Sequence, residues 1–222
     1  MDNELKSIYQ NRFSGDLENK NRIWRILCSD YFQKFIDPEN DIVLDIAAGY
    51  GEFINNIEAR KKIAVDLNGD INKYINSEVE VIISDCKNIK QQPDNSVDKI
   101  FISNFLEHLN NTDEVLMVLR ECHRILKTSG KILILQPNIY YVKEKYWFFI
   151  DHKTPITHES LVEALEIVGF NIALLKKKFL PYTTKSSVPQ YDFLIKIYLG
   201  LPILQWIFGK QTFVIGTKMQ ND

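Results

Sequence analysis

The strongest constraint on this chain is an alternation. Apolar runs of strand length at 42–47, 62–66, 79–84, 97–103 and 131–136 are separated by turn residues and by stretches of helical periodicity. Phe53, Ile54 and Ile57 suggest a helical stretch after the first run, and Asn111 with Glu114 has capping-box spacing before Val115, Leu119, Cys122, Ile125 and Leu126. Thr157 opens a further helix through Leu161 and Leu165 that stops at Gly169, and runs at 171–176 and 212–217 supply two more strands. Ahead of them, Ile23, Leu27 and Tyr31 with Trp24, Cys28 and Phe35 mark an amphipathic helix over 18–36, ended by Pro38 and Asn40. Strands alternating with helices predict an α/β fold, a parallel sheet with helices on both faces in three layers. In such sheets ligands bind beyond the carboxyl ends of the strands, so the residues there are the ones to read.

Composition narrows the class. At 222 residues and 45% hydrophobic content the chain can bury one sizeable core. A net charge of −2 excludes a polyelectrolyte and argues against a nucleic-acid partner. That total hides an asymmetry: 176–222 holds seven lysines against two aspartates, +5, which leaves 1–175 at −7. Cys28, Cys86 and Cys122 are widely spaced with no CxxC pair, the pattern of reduced, packed thiols rather than of a disulfide framework or zinc site. The N-terminus lacks secretory character, and the most apolar segment, 193–208, is interrupted by Lys196, Gly200, Pro202 and Gln205 and is too short to span a bilayer. A cytoplasmic domain is expected, with peripheral contact at the inner face of a membrane as an alternative.

After the first strand the chain reads VLDIAAGYGEF, in which Ala47, Gly49 and Gly51 let the backbone approach a ligand closely. Asp45 stands inside the end of that strand, where a pyrophosphate-binding turn rarely places a carboxylate. Asp66 ends the second strand 21 residues later, where it can accept from ribose hydroxyls, and Asp85 after the third can accept from an adenine amino group. An acidic pocket of this kind suits a cationic nucleoside. The missing GxGxxG argues against a nicotinamide cofactor, and Asn104-Phe105-Leu106 lacks the Asn/Asp-Pro-Pro-aromatic pattern of nucleobase N-methylation.

The segments VLDIAAGYGEF, AVDLN, ISDCKNI, NSVDKIFISNFLEHL and LRECHRILKTSGKILILQPN, in this order, resemble the class I S-adenosylmethionine-dependent methyltransferases over roughly residues 42–175. The resemblance implies a Rossmann-like, seven-stranded, mostly parallel sheet with an antiparallel last strand. It also implies S-adenosyl-L-methionine as cofactor, with S-adenosyl-L-homocysteine as product and no metal. The turn Asp45, Ala47, Gly49 and Gly51 then holds the methionine part. Asp66 holds the ribose with Leu67 beside it at the cofactor, Asp85 and Cys86 flank the adenine, and Asn104 with Phe105 line the pocket beyond. Ala47 departs from the family, which more often has glycine there.

Methyl transfer to a hydroxyl needs an aligned nucleophile and a base. After the fifth strand, six aromatics fall within the ten residues 140–149, and Tyr140, Tyr141 and Trp147 are candidates to stack on a ring substrate, or simply to pack on the sheet. Asp151-His152 is the best acid/base candidate, catalytic if the carboxylate orients the imidazole, structural if it only shapes the loop. His108 reads as structural, His123 as a solvated helix residue and His158 as the first turn of a helix. The domain plan is an N-terminal helical extension 1–40, a cofactor-binding core 42–176, an apolar insertion 177–210 and a final strand 211–218. The insertion reads as a lid, a homodimer interface or a membrane contact through 191–208. YWFFIDH and FLPYTTKS are similar to methyltransferases of bacterial polysaccharide assembly, which implies O-methylation of a small-molecule or glycan acceptor. A cofactor-binding, non-catalytic scaffold is the alternative.

Overall fold

A computed structural model describes residues 17–182 and 191–219. The residues 183–186 of the FLPYTTKS segment and 1–16 of the N-terminal extension lie outside that range. The chain runs α1 (Leu17–Asp30), β1 (Ile42–Ile46), β2 (Lys61–Asp66), β3 (Val79–Ile83), β4 (Val97–Ser103), α2 (Thr112–Ile125), β5 (Leu126–Pro137), α3 (Ile139–Val142), α4 (His158–Val168), β6 (Phe170–Lys176), α5 (Asp192–Gly200), α6 (Pro202–Phe208) and β7 (Gln211–Lys218). The seven strands form one sheet in the order β3-β2-β1-β4-β5-β7-β6. β1 to β5 pair in parallel and β7 runs antiparallel to both β5 and β6, as expected from the sequence.

Strand periodicity sorts the core into two layers. Leu44, Ile46, Ile63, Val65, Ile100 and Ile102 face α2 and α4, where Val118, Leu119, Cys122, Leu161 and Leu165 are buried. Their neighbours Val43, Ala64 and Phe101 face the other way, onto Trp24, Leu27, Cys28, Phe32 and Phe53. The three cysteines are free and buried. α2 is capped by the Asn111 side chain, which accepts from Glu114 N, and α4 by a reciprocal Thr157/Ser160 box.

Three local expectations need correction. Phe53, Ile54 and Ile57 are buried, but 52–56 forms turns, not a helix. Asn55 donates to Tyr74 O and accepts from Asn76 N, while Asn56 donates to Glu52 O, so short amides take up the backbone's partners. The N-terminal helix stops at Asp30 and continues only as a 3₁₀ turn, Phe32–Phe35. His123 is no solvated side chain: its ring meets Phe170 at 5.1 Å, beneath the left-handed Gly169 that ends α4.

From 191 onward the apolar insertion holds two helices divided at Pro202. Proline cannot donate to the preceding turn and holds Leu201 extended, at φ −114° and ψ 98°. Arg22 pairs with Asp192, which ties α5 to α1. Part of the basic C-terminal charge is spent internally. Lys176 Nζ lies 4.9 Å from the Tyr31 ring centre and donates to Gln205 Oε1, and Lys178 Nζ lies 4.8 Å from Tyr141 and 5.2 Å from Trp206. Among the described residues no helix is long and apolar enough to cross a membrane.

Candidate active site

A cavity of about 980 Å³ opens over the carboxyl ends of the parallel strands, large enough for a cofactor and an acceptor together. Its first wall is the turn after β1. Ala47, Gly49 and Gly51 all take left-handed backbone, at φ 54°, 56° and 74°. For Ala47 this costs about 1–2 kcal/mol. A Cβ on Gly51 would lie 2.5 Å from Ile75 Cδ1 and 2.8 Å from Asn55 Nδ2, whereas one on Gly49 would meet nothing nearer than Ala47 O at 3.9 Å. The turn is thus tight behind and open in front, a cradle that admits a ligand against the backbone.

Asp45 is 4% exposed, and burial, with the charges of Glu52 and Asp66, holds its carboxyl well above the ordinary range. Asp66 Oδ2 accepts from Gly49 N at 2.9 Å and Oδ1 from Asn68 N at 2.8 Å, so it fixes the turn. Burial still raises its pKa, the hydrogen bonds offsetting only part of the effect. Burial first, then the Asp66 charge, pushes the Cys86 thiol up to about 12. Asp85 holds Lys87 N at 2.9 Å. Leu67, Asp85, Cys86, Asn104 and Phe105 also line the cavity, so nine of the ten residues expected at the cofactor end border this one space, and Gly51 lies in the turn behind it. Three aspartates at this end fit a sulfonium and an ammonium better than a pyrophosphate. Two wall residues had no sequence signal: Tyr50 and Tyr74 meet edge to face at 4.5 Å.

The acceptor end is assembled from distant segments. Leu106–His108 is a 3₁₀ turn after β4, held by the fully buried Leu106. Glu107 is 1% exposed; burial raises its pKa, with His108 and a 2.8 Å hydrogen bond from Gln136 Nε2 to Oε2 opposing. The Glu107 carbonyl accepts from Lys153 N and Thr154 N, Thr154 Oγ1 donates to Leu109 O, and Tyr146 OH donates to Thr154 O. These bonds fasten the loop bearing His152 to the turn after β4.

Asp151 is buried, and both its carbonyl oxygen, at 3.0 Å, and its carboxylate, at 3.5 Å, approach His108 Nδ1. A carbonyl can only accept, so Nδ1 carries the proton. His152 packs its ring against His108 at 5.1 Å, Tyr146 at 4.8 Å and Phe149 at 5.2 Å. Glu107, His108 and His152 all line the cavity. Glu107 and His108 were readable only as part of FLEHL; one turn beyond the strand end, they stand on the cofactor side of the sheet.

Tyr140, Tyr141 and Trp147 are not among the lining residues. Asn138, buried and bonded to Thr212 Oγ1 and the His158 ring, caps α3 and turns its aromatics toward α4, where Tyr141 stacks on His158 at 5.8 Å. Burial lowers the His158 pKa. The aromatics that do reach the cavity here are Phe149 and Tyr182, whose rings meet at 5.8 Å. Leu194, Tyr198, Leu204 and Phe208 of α5 and α6, with Ile23 and Trp24 of α1, complete the apolar wall.

Residues 44–134 match the family model described as a methyltransferase domain. A SAM-dependent methyltransferase from Archaeoglobus fulgidus has 28% identity and a TM-score of 0.64, the match covering 96% of this chain and 99% of that one. A SAM-dependent methyltransferase from Thermotoga maritima has 19% identity and a TM-score of 0.65, covering 94% and 97% of the two chains. A Haloferax volcanii protein in complex with the methyltransferase activator Trm112 has 15% identity and a TM-score of 0.69, covering 96% and 97%. No curated protein sequence matches the chain. The acidic cradle after β1, the strand order and these likenesses together support a class I S-adenosylmethionine-dependent methyltransferase, with the methyltransferase domain matched over 44–134.

Proposed function

We propose that this methyltransferase acts on a hydroxyl oxygen of a glycan or similar small polar acceptor, in the making of a polysaccharide or cell-surface glycan. The observation that carries the reading is the group of protonatable side chains, Glu107, His108 and His152, facing the same cavity as the acidic turn. A sugar hydroxyl is a weak acid and needs help to lose its proton, whereas a carboxylate is already ionised. A fold kept only as a scaffold would have no need of such a group there.

S-adenosylmethionine supplies an electrophilic methyl group on sulfur. The turn from Asp45 to Gly51 takes its methionine part, Asp66 with Leu67 its ribose, and Asp85 with Cys86 its adenine. Asn104 and Phe105 bound the reacting end. On the acceptor side His152, on the loop fastened to Glu107, receives the hydroxyl proton, and Asp151 acts through the adjoining His108. Phe149 and Tyr182 offer ring faces to a sugar, and α5 with α6 forms a lid that keeps water from the transfer. The outer side of that lid leaves Phe193, Ile203, Trp206 and Ile207 each more than half exposed, which suits an acceptor carried on a lipid.

Methyl uptake measured across free and lipid-linked sugars tests the reading. The expected result is transfer to a hydroxyl that falls roughly 10²–10⁴-fold in His152→Ala with cofactor affinity retained. Transfer only to nitrogen or carboxylate acceptors, undiminished in His152→Ala, would overturn it.

A further inference from the structure

We propose that Glu107, His108 and His152 form a binding site for a divalent first-row transition-metal ion at the acceptor end of the cavity. One ligand atom from each residue lies within 4.8 Å of the other two. Two nitrogens and one carboxylate oxygen are the donor set of ions such as Zn²⁺, Mn²⁺ or Co²⁺, rather than of Ca²⁺, which prefers oxygen throughout.

The surroundings of two of the ligands are already those of metal ligands. His108 Nδ1 gives its proton to the Asp151 carbonyl at 3.0 Å, which in the neutral ring makes Nε2 the lone-pair nitrogen. That Nε2 faces Glu107 Oε1 at 3.9 Å, too far for a hydrogen bond between them. The two atoms border a space that a cation can occupy. An ion about 2.1 Å from each spans the gap. The other Glu107 oxygen is held by Gln136 Nε2 at 2.8 Å, which orients the carboxylate as a one-oxygen ligand. The third ligand is delivered by the bonds from Lys153 N and Thr154 N to Glu107 O, which bring the His152 loop onto the same turn.

The site rests on the hydroxyl-acceptor reading for its use, though not for its existence. An acceptor hydroxyl that replaces a water on the ion is acidified, and its proton passes to solvent. The new C–O bond then forms as the C–S bond breaks, with the electron pair remaining on sulfur. His152 serves in this arrangement as a ligand, and the ion performs the work assigned above to an imidazole base.

Metal-stripped protein titrated with Co²⁺ tests the site. The expected result is one equivalent bound with visible d–d absorption. Affinity should fall at least tenfold in Glu107→Gln and in His152→Ala, with S-adenosylmethionine affinity as the control for folding. A second readout needs no variant: of the four histidines, the imidazole resonances of His108 and His152 should shift or broaden, and those of His123 and His158 should not. Absence of saturable binding, or binding that leaves the His108 and His152 resonances unmoved, would overturn the site. Full hydroxyl methylation by chelator-treated protein would overturn the ion's part in the transfer while leaving the hydroxyl reading intact. Saturable binding at these residues without any hydroxyl acceptor would support the site and count against that reading.

Discussion

At the proposed cofactor end the candidate groups sit within a few residues of a strand terminus, whereas at the proposed acceptor end they arrive from segments far apart in the chain. Asp45, Asp66 and Asp85 end or follow successive parallel strands, and the turn between them is shaped by backbone conformation at Ala47, Gly49 and Gly51. The acceptor wall combines the turn after β4, the loop after α3, the segment after β6, α5, α6 and α1. The first kind of site depends on where strands end, the second on which surfaces pack. Substitutions at the two ends should therefore fail in different ways.

The largest effect is expected at Gly51. Gly51→Ala combines a left-handed residue with a Cβ 2.5 Å from Ile75, so it should cost about 3 kcal/mol and lower the melting temperature by roughly 6–12 °C. Cofactor affinity should drop at least tenfold in titration calorimetry. A variant that binds and melts like the wild type would mean that the turn is not the cradle described.

At the acceptor end the contrast is between rings. Tyr182→Ala should raise the acceptor KM about tenfold, the loss of one stacking face or roughly 1.4 kcal/mol, with cofactor affinity unchanged. Trp147→Ala, outside the cavity, should leave KM as it was. The reverse order would return the substrate role to the 140–147 segment.

The smallest effect, and the one that sharpens the comparison most, concerns pH. Asp45 and Asp66 have raised folded-state pKa values, so the fold holds protons that the unfolded chain has released. Such groups destabilise the cofactor-free protein increasingly as pH rises from the unfolded value near ~3.9 through the folded one. Asp45→Asn removes one of them and should stabilise the cofactor-free protein by about 1 kcal/mol near neutral pH, flattening the decline seen in denaturant titrations. The same carboxylates must be charged to face a cation, so wild-type cofactor affinity should rise with pH over that interval, and rise less in Asp45→Asn. Equal pH profiles in the two proteins would remove Asp45 from this role.

That the candidate cofactor residues gather at one cavity was legible in the sequence because its determinants are local. A β-branched run followed by small residues specifies a strand and a tight exit, and a carboxylate at the end of such a run can only emerge on one side of the sheet. The order β3-β2-β1-β4-β5-β7-β6 itself comes from pairing between strands far apart, and family resemblance, not periodicity, anticipated its antiparallel β7. The acceptor end was less legible for the same physical reason. Asp151 lies beside His152 in sequence, yet its carboxylate comes to 3.5 Å from a ring 43 residues away. Tyr140 and Tyr141 looked suited to a substrate until Asn138, held by Thr212 and His158, turned their helix toward α4.

What the sequence determined by itself is the α/β class, the acidic turn and the side of the sheet on which chemistry occurs, since each follows from strand pattern and local backbone preference. Only the tertiary structure decided which aromatic rings border the cavity, that α5 and α6 line it, and that Glu107, His108 and His152 converge. Those outcomes depend on packing between segments whose separation along the chain carries no periodic signal.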